Sequence, residues 1–234
     1  MKLSVLVGFR DTGDGHRTRL WDVIRGMLEE RLPEAELVVG DDGGEDPFWK
    51  TKALNDAASR ATGDVFMLTD TDTWVSDDCI RATAAGIEHL PRYWWRPWNV
   101  KYKLGQAPTE QALAGGWDGS VIPGGLENTN RYWAAPPILM HRDLWFEAGG
   151  QDERFRGWGH EDDAFASTLK TLFGEPVIIP GPSVHLWHPR IGKSGRDLWP
   201  GQESAVDNRV LAGRYKTART RERIMELIAS RGQE

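Results

Sequence analysis

The sequence of 234 residues has little cysteine, no excess of positive charge and no long apolar run. Its single cysteine, Cys79, cannot form an internal disulfide, which predicts a reducing, cytoplasmic compartment. The formal net charge of -6 argues against nucleic acid as a partner, because nucleic-acid binders concentrate positive charge. No apolar stretch approaches the roughly 20 residues that span a bilayer, so no direct membrane span is expected. The apolar start resembles a signal peptide only briefly, because Arg10 and Asp11 end it early.

Tryptophan, in contrast, is abundant. The 12 tryptophans gather around Trp94, Trp95 and Trp98 and again at Trp187 and Trp199. Large aromatic rings stack on the faces of sugars, but they also fill ordinary cores and interfaces. The tryptophans alone therefore leave a sugar-binding site and a plain core both open.

The first 72 residues alternate between strand and helix patterns. The strand-like runs are Leu3 to Gly8, Glu36 to Val39 and Val65 to Leu68, and the runs with helical spacing are Arg17 to Leu32 and Phe48 to Ala61. This β-α-β-α-β rhythm is typical of a parallel sheet. We therefore predict an α/β fold, a single domain with a mostly parallel central sheet flanked by helices.

Polar residues follow each of the three strands. They are Arg10 and Asp11, then Asp41 and Asp42, then Asp70 and Asp72. Because ligands of parallel sheets bind at the carboxyl ends of the strands, we expect one shared crevice. In Asp70-Thr71-Asp72, strand alternation turns both carboxylates to one side, where a divalent cation can bridge to a diphosphate. An isolated Asp-x-Asp is more often a helix cap or a solvated turn, and the strand-end position favours the metal site.

A second acidic group, Glu161 to Asp163, directly follows Gly157-Trp158-Gly159-His160. A flexible turn, a flat aromatic ring and carboxylates together suit a site that holds a sugar and removes a proton from one of its hydroxyls. The acids equally suit the positive N-terminal end of a helix predicted at Ala164 to Phe173. Both interpretations are compatible with the local sequence.

His185 and His188 supply nitrogen ligands near the end of a later strand-like run. Histidine together with carboxylates suits Mn²⁺, with Mg²⁺ as the other candidate ion. Residues three apart in an extended segment face opposite ways, which favours His185 as the ligand and leaves His188 free to contact phosphate or to pack.

Weaker patterns cover the rest of the chain. Gly105 to Asn130 is rich in glycine and has little periodicity, which predicts an irregular lid or acceptor-binding loop. Glu203 to Ala229 predicts one charged C-terminal helix.

Taken together, these motifs resemble those of glycosyltransferases. The first half resembles the family 2 pattern of the GT-A fold. The residues that carry this resemblance are Asp41-Asp42-Gly43, Asn55, Gly63-Asp64 and Asp70-Thr71-Asp72. The second half resembles the carboxyl-terminal half that β-1,4-galactosyltransferases and polypeptide N-acetylgalactosaminyltransferases share. The residues that carry this resemblance are Gly149 to Phe155, Gly157 to Asp163 and a later histidine. His160 stands where glycine is commoner in that pattern.

The resemblance implies a metal-dependent, hexosyltransferase-like enzyme of the GT-A (Rossmann-like) fold. Such an enzyme moves a sugar from a nucleotide-sugar, expected to be a UDP-sugar, to a hydroxyl of a glycan, glycoconjugate or other acceptor. The implied donor-binding residues are Arg10, Asp11, Asp41, Asp42, Asn55, Asp70 and Asp72. The implied metal ligands are Asp72 and His185, with His188 as the further candidate.

For the acceptor side, the resemblance implies an inverting reaction with Asp162 as the catalytic base. Glu161 is the implied catalytic neighbour that hydrogen-bonds acceptor hydroxyls, and Trp158 and Gly159 complete the acceptor-binding residues. The implied glycosyltransferase domain covers residues 1–200, with a nucleotide-binding half at 1–75 and an acceptor-binding, catalytic half at 76–200. Residues 201–234 are expected to form a C-terminal helical tail.

Two alternatives stay open. A retaining transferase of the same fold also fits, because the N-acetylgalactosaminyltransferases share the carboxyl-terminal pattern. A non-catalytic glycan- or nucleotide-binding module is the other, with tryptophans for stacking and acids that merely hold a cation. The enzyme is favoured over that module, because a binding module has no need for a second acid cluster.

Overall fold

The computed structural model describes residues 1–11, 13, 15–44, 48–122, 127–129, 134–157, 159–189 and 202–232. Its strands are β1 (Leu3–Gly8), β2 (Glu36–Gly40), β3 (Val65–Thr69), β4 (Thr73–Val75), β5 (Trp94–Arg96), β6 (Val100–Lys103), β7 (Glu127–Thr129), β8 (Ile138–His141), β9 (Val177–Ile178) and β10 (Pro182–His185). Its helices are α1 (His16–Arg31), α2 (Lys50–Arg60), α3 (Asp77–His89), α4 (Gln106–Leu113), α5 (Arg142–Glu147), α6 (Glu161–Phe173), α7 (Gln202–Thr217) and α8 (Arg221–Ala229).

Six strands form the central sheet, in the order β2-β1-β3-β8-β5-β9. Strand β1 lies between β2 and β3 and is parallel to both. Strand β8 is antiparallel to its neighbours β3 and β5, while β9 is parallel to β5. The predicted α/β fold with a mostly parallel central sheet is therefore confirmed, and so is the β-α-β-α-β order of its first half.

Helices cover both faces of this sheet. Along β1, Val5 and Val7 belong to a core with α1 and α3, whereas Leu6 belongs to a second core with α2, α5 and α6. Successive strand residues point to opposite faces, so a run of apolar residues indicates burial on both. Burial on both faces explains why apolar and polar residues do not alternate along these early strands.

A second sheet, which the sequence does not predict, has the order β4-β10-β6-β7. Strand β10 is antiparallel to β4 and parallel to β6. Its strands are short and far apart in the chain, so no local pattern reveals their pairing. The expected irregular loop at Gly105 to Asn130 is partly wrong, because α4 and β7 lie within it. Helix α4 escapes periodicity since its buried residues, Thr109 and Ala112, are small or polar.

The first group of tryptophans fills the core. Trp94 is buried with α5 and α6, and Trp95 and Trp98 are buried on the opposite side of the sheet. These three tryptophans therefore belong to the core and do not form a sugar-binding surface. Trp199 lies outside the described residues.

The C-terminal segment forms two helices instead of the one expected. Helix α7 ends at Thr217, and Thr220 caps α8 by accepting a hydrogen bond from the Arg223 backbone amide at 3.4 Å. The two helices pack on α6 through a third apolar cluster that contains Phe155, Tyr215 and Ile224. None of the helices among the described residues has both the length and the apolar character needed to cross a membrane.

Candidate active site

The carboxyl ends of β1, β2 and β3 meet at one edge of the sheet, because the three strands are adjacent and parallel. Beyond β1, the exposed Asp11 accepts hydrogen bonds from the Gly13 amide at 2.8 Å and the Thr18 hydroxyl at 3.0 Å. Beyond β2, Asp41 is also exposed and accepts from the Gly43 amide. Both carboxylates remain accessible from solvent at this edge.

Asp42 has a different place from the one expected of a donor-binding residue. Its carboxylate is fully buried, 3.2 Å from Nη1 of Arg10. It also accepts hydrogen bonds from the backbone amides of Gly44 and Trp49 at 3.2 and 3.0 Å. Asp42 therefore joins the turn after β2 to the start of α2, and Arg10 balances its charge.

Asn55 likewise departs from its expected donor-binding place. Its side-chain amide donates to the Gln151 carbonyl at 2.9 Å and accepts from the Gln151 amide at 2.9 Å, and it also donates to Glu153. Gly150, at φ 63°, allows this approach, because an added Cβ would lie 2.6 Å from Oδ1 of Asn55. Asn55 thus fastens α2 to the segment that leads into α6.

Three potential metal ligands come together at the end of the second sheet. Asp72 Oδ1 lies 3.5 Å from Nε2 of His185, and Asp72 Oδ2 lies 3.5 Å from Nε2 of His188. One ligand atom from each of the three residues lies within 4.8 Å of the others. The backbone holds them in register, because β4 pairs with β10 and the Leu186 amide donates to the Asp72 carbonyl at 2.8 Å.

Both histidines face Asp72, so the expectation that only one of them points into the crevice is wrong. Strand β10 ends at His185, and the alternation of an extended strand does not continue to His188. Burial lowers the pKa of His185 to about 4, against the opposing effect of Asp72, so its imidazole is neutral at physiological pH. Two imidazoles and a carboxylate fit the mixed nitrogen and oxygen ligands of a divalent metal ion.

A second cluster surrounds the ammonium group of Lys50, the first residue of α2. Its Nζ lies 2.9 Å from Asp70 Oδ1, 3.1 Å from Asp162 Oδ1 and 3.3 Å from Glu161 Oε1. Burial alone would lower the pKa of Lys50, but the three carboxylates outweigh it and raise that pKa well above its usual value. Lys50 is therefore a permanent cation that links Asp70, beyond β3, to the start of α6.

The same surroundings act on Asp162. Burial raises the pKa of its carboxyl to about 7, Glu161 and Asp70 add to the effect, and Lys50 opposes it. Its side chain keeps 28% of its surface exposed, so the carboxylate remains open to a ligand. A carboxylate with a pKa near neutrality is well matched to proton abstraction.

The acids of Glu161 to Asp163 form the first turn of α6, as the helix-terminus interpretation predicts. Within that turn, Glu161 and Asp162 face Lys50, whereas Asp163 is largely exposed. The helix-terminus interpretation is therefore confirmed, and the helix end also aims two of the acids at Lys50. The interpretation as a sugar-binding site stays a prediction. Gly159 lies beside this turn and accepts from Asn208 of α7 at 3.2 Å. Trp158 lies outside the described residues.

Lys101 of β6 is a second lysine that sequence reasoning missed. It is only 3% exposed, yet it interacts electrostatically with Asp70, Asp72 and Asp162. Burial lowers its pKa, and these three carboxylates oppose that shift. Carboxylates of both the metal-ligand cluster and the Lys50 cluster thus act on Lys101. The two clusters are linked through the chain, because Asp70 belongs to one and Asp72 to the other. Neither Lys50 nor Lys101 is part of a recognisable sequence motif. Only their tertiary contacts identify them as residues of the site.

Solved structures with the same arrangement of helices and strands are known. The catalytic domain of a Drosophila β1,4-galactosyltransferase 7, in complex with xylobiose, superimposes with a TM-score of 0.50 at 18% identity, covering 89% of this chain and 79% of that one. GalNAc-T7 with UDP, GalNAc and Mn²⁺ superimposes with a TM-score of 0.54 at 14% identity, covering 94% of this chain and 49% of that one. The chain has the GT-A fold.

At these identities the likeness concerns the fold, and this chain spans about half the length of the GalNAc-T7 chain. No family model matches the sequence, and no curated protein matches it either. The residues of the site, and not the likeness in fold, therefore indicate an activity.

Proposed function

We propose that the protein is a metal-dependent glycosyltransferase that moves a sugar from a UDP-sugar to an acceptor hydroxyl with inversion. The observation that carries the proposal is the single site in which the Asp72, His185 and His188 cluster and the Asp162 carboxylate are joined through Asp70 and Lys50. A GT-A fold with a metal-ligand cluster on one side and an accessible carboxylate on the other has the parts that glycosyl transfer requires.

In this mechanism Asp162 accepts the proton of the acceptor hydroxyl while that oxygen attacks the anomeric carbon. The bond between the anomeric carbon and the diphosphate breaks, and its electron pair leaves with the diphosphate. A divalent cation held by Asp72, His185 and His188 would offset charge on the diphosphate. Glu161, beside the base, hydrogen-bonds the acceptor, and Lys50 holds Asp162 and Asp70 in position.

The proposal assigns the two halves of the chain different tasks. Residues 1–75 hold the nucleotide, with Asp11 and Asp41 as the accessible acids and Asp70 near the ribose or donor sugar. Residues 76–200 hold the acceptor and supply the base. Helices in residues 201–234 support α6.

A panel of UDP-, GDP- and dTDP-sugars with Mn²⁺ tests the donor assignment. We expect a UDP-sugar and Mn²⁺ together to raise the melting temperature more than either does alone, and UDP to be released when a suitable acceptor is added. Xylobiose, present in the Drosophila structure, is the first acceptor to try. Absence of both a thermal shift and nucleotide release across the panel would contradict the proposal.

Two substitutions test the division of labour within the site. Asp72→Ala should weaken binding of the UDP-sugar, because it removes a metal ligand. Asp162→Asn should leave that binding intact and lower transfer by about 10²- to 10⁴-fold, the usual contribution of a general base. Equal loss of donor binding in both variants would refute the separate roles. If the wild type shows no turnover and Asp162→Asn binds the donor as well as the wild type does, a non-catalytic binding module is favoured.

A retaining transferase of the same fold is the second candidate, because the polypeptide N-acetylgalactosaminyltransferases share the carboxyl-terminal pattern from Gly149 to Asp163. NMR analysis of the anomeric configuration of the first product separates the two reactions. A product with the donor's configuration would replace the inverting mechanism and the role of Asp162 as its base.

A further inference from the structure

Lys101 is a buried cation that the mechanism above does not use. Among the residues that the structure describes, none makes a hydrogen bond or ion pair with its ammonium group, although the residue is only 3% exposed. A largely buried lysine whose ammonium has no partner in the protein is unfavourable, so such a group is retained where a ligand completes its surroundings. Three carboxylates of the site act on it at longer range.

The second sheet fixes where this cation points. Lys101 is paired with Ser183 in the register of β6 and β10, and Lys103 is paired with His185. Paired residues of neighbouring strands lie on the same face of a sheet, and residues two apart on one strand share a face. Lys101, Lys103 and the metal ligand His185 therefore line one face, while Val184 on the opposite face packs in the core.

The shared face with His185 and the carboxylates that act on Lys101 together indicate the kind of anion. Lys101 interacts with Asp72 of the metal-ligand cluster and with Asp162, the proposed base. In the proposed reaction the base lies close to the anomeric carbon, and the group between that carbon and the metal ligands is the phosphate bonded to the sugar. In a nucleotide-sugar the nucleoside-side phosphate is separated from that carbon by the sugar-linked phosphate, so it would be farther from the base.

We infer that Lys101 binds the sugar-linked phosphate of the nucleotide-sugar and donates a hydrogen bond to the leaving diphosphate. This inference rests on the proposed function. When the bond from the anomeric carbon to the phosphate oxygen breaks, the electron pair stays on that oxygen, and the Lys101 ammonium offsets the added charge. No proton needs to move to or from Lys101 in this step.

The experiment compares Lys101→Met and Lys101→Arg with the wild type by isothermal titration with UDP, UMP and uridine in the presence of Mn²⁺. We expect Lys101→Met to weaken UDP binding at least tenfold and UMP binding less than threefold, and to leave uridine binding unchanged. Lys101→Arg should recover most of the UDP affinity. Lys170→Met, the same charge change on α6 at a side chain that is 50% exposed, should leave UDP binding within twofold.

The melting temperature without ligand checks that the effect is not a folding defect. Removal of a largely buried charge without a partner should leave that temperature unchanged or raise it. Lys101→Met should therefore be at least as stable as the wild type while losing the shift caused by UDP and Mn²⁺. A lower melting temperature without ligand would indicate a structural ion pair and overturn the inference. Equal weakening of UMP and UDP would overturn the assignment to the sugar-linked phosphate.

The same titration separates this inference from the proposed function. If the wild type binds UDP with Mn²⁺ and Lys101→Met binds it equally well, the inference about Lys101 fails and the transferase remains. If the wild type binds no UDP, the proposed function and the inference both fail.

Discussion

At the residue scale, Lys50 acts on three carboxylates that have different tasks. Asp162 must be ionised to accept a proton, yet burial and the neighbouring acids raise its pKa to about 7. The Lys50 ammonium, 3.1 Å from Asp162 Oδ1, lowers that pKa and also holds Asp70. Loss of this positive charge should therefore change the proton affinity of the base as well as the geometry of the site.

Substitution of Lys50 tests this electrostatic role. Transfer by the wild type should fall as the pH drops below about 7, because Asp162 becomes protonated. In Lys50→Met, the pKa of Asp162 rises further, so the acidic limb of the kcat/KM profile should move to higher pH. Lys50→Arg keeps the charge and should keep the limb near its original position. A limb that stays in place in Lys50→Met, whatever the loss in rate, would contradict the assignment.

At the element scale, the start of α6 aims the two acids of the site. His160 is the N-cap residue and adopts φ 71°, the left-handed conformation that side chains other than glycine rarely adopt. In the carboxyl-terminal sequence pattern that this chain resembles, glycine is commoner at this position, and glycine adopts the left-handed conformation readily. The turn therefore holds strain next to Glu161 and Asp162.

Replacement of His160 should reveal that strain. His160→Gly should be at least as stable as the wild type, because glycine adopts the left-handed conformation without a steric penalty. His160→Ala keeps the penalty, about 1 kcal/mol, and loses the tolerance that histidine has for this region. Urea unfolding should therefore rank glycine above alanine. Equal free energies of unfolding for the two variants would mean that the turn relaxes.

At the scale of the whole molecule, the C-terminal helices are fastened to the segment that precedes α6. Asp152, which is 4% exposed, accepts hydrogen bonds from Arg154 and from the Tyr215 hydroxyl of α7 at 2.7 Å. Arg231 donates to the Tyr215 oxygen and to the Gly150 carbonyl. The C-terminal helices thus support the helix that carries the proposed base.

Tyr215→Phe measures the strength of this connection. It removes a hydrogen bond to a buried carboxylate, which should lower the free energy of unfolding by about 1.5 kcal/mol. Tyr93→Phe, at a tyrosine that is 42% exposed, should change it by no more than about 0.5 kcal/mol. Chemical denaturation followed by tryptophan fluorescence provides both values. Similar values for the two variants would show that the hydroxyl of Tyr215 contributes little.

Much of the first half of the fold could be predicted, because the local spacing of apolar residues indicates its strands and helices. The predicted Leu3 to Gly8 strand coincides with β1, and α1 and α2 differ from their predicted ranges by one or two residues at each end. The second sheet could not be predicted, since β4, β6 and β10 are short and pair across long stretches of chain. Small buried residues also hid α4.

The sequence by itself determined which acids follow the parallel strands, because strand direction alone brings those ends to one edge of the sheet. Only the tertiary structure decided which polar groups come together in the site. It enclosed Asp42 and Asn55 in internal hydrogen bonds, turned both histidines toward Asp72, and brought in Lys50 and Lys101. These outcomes depend on contacts between residues far apart in the chain, and neither periodicity nor spacing encodes such contacts.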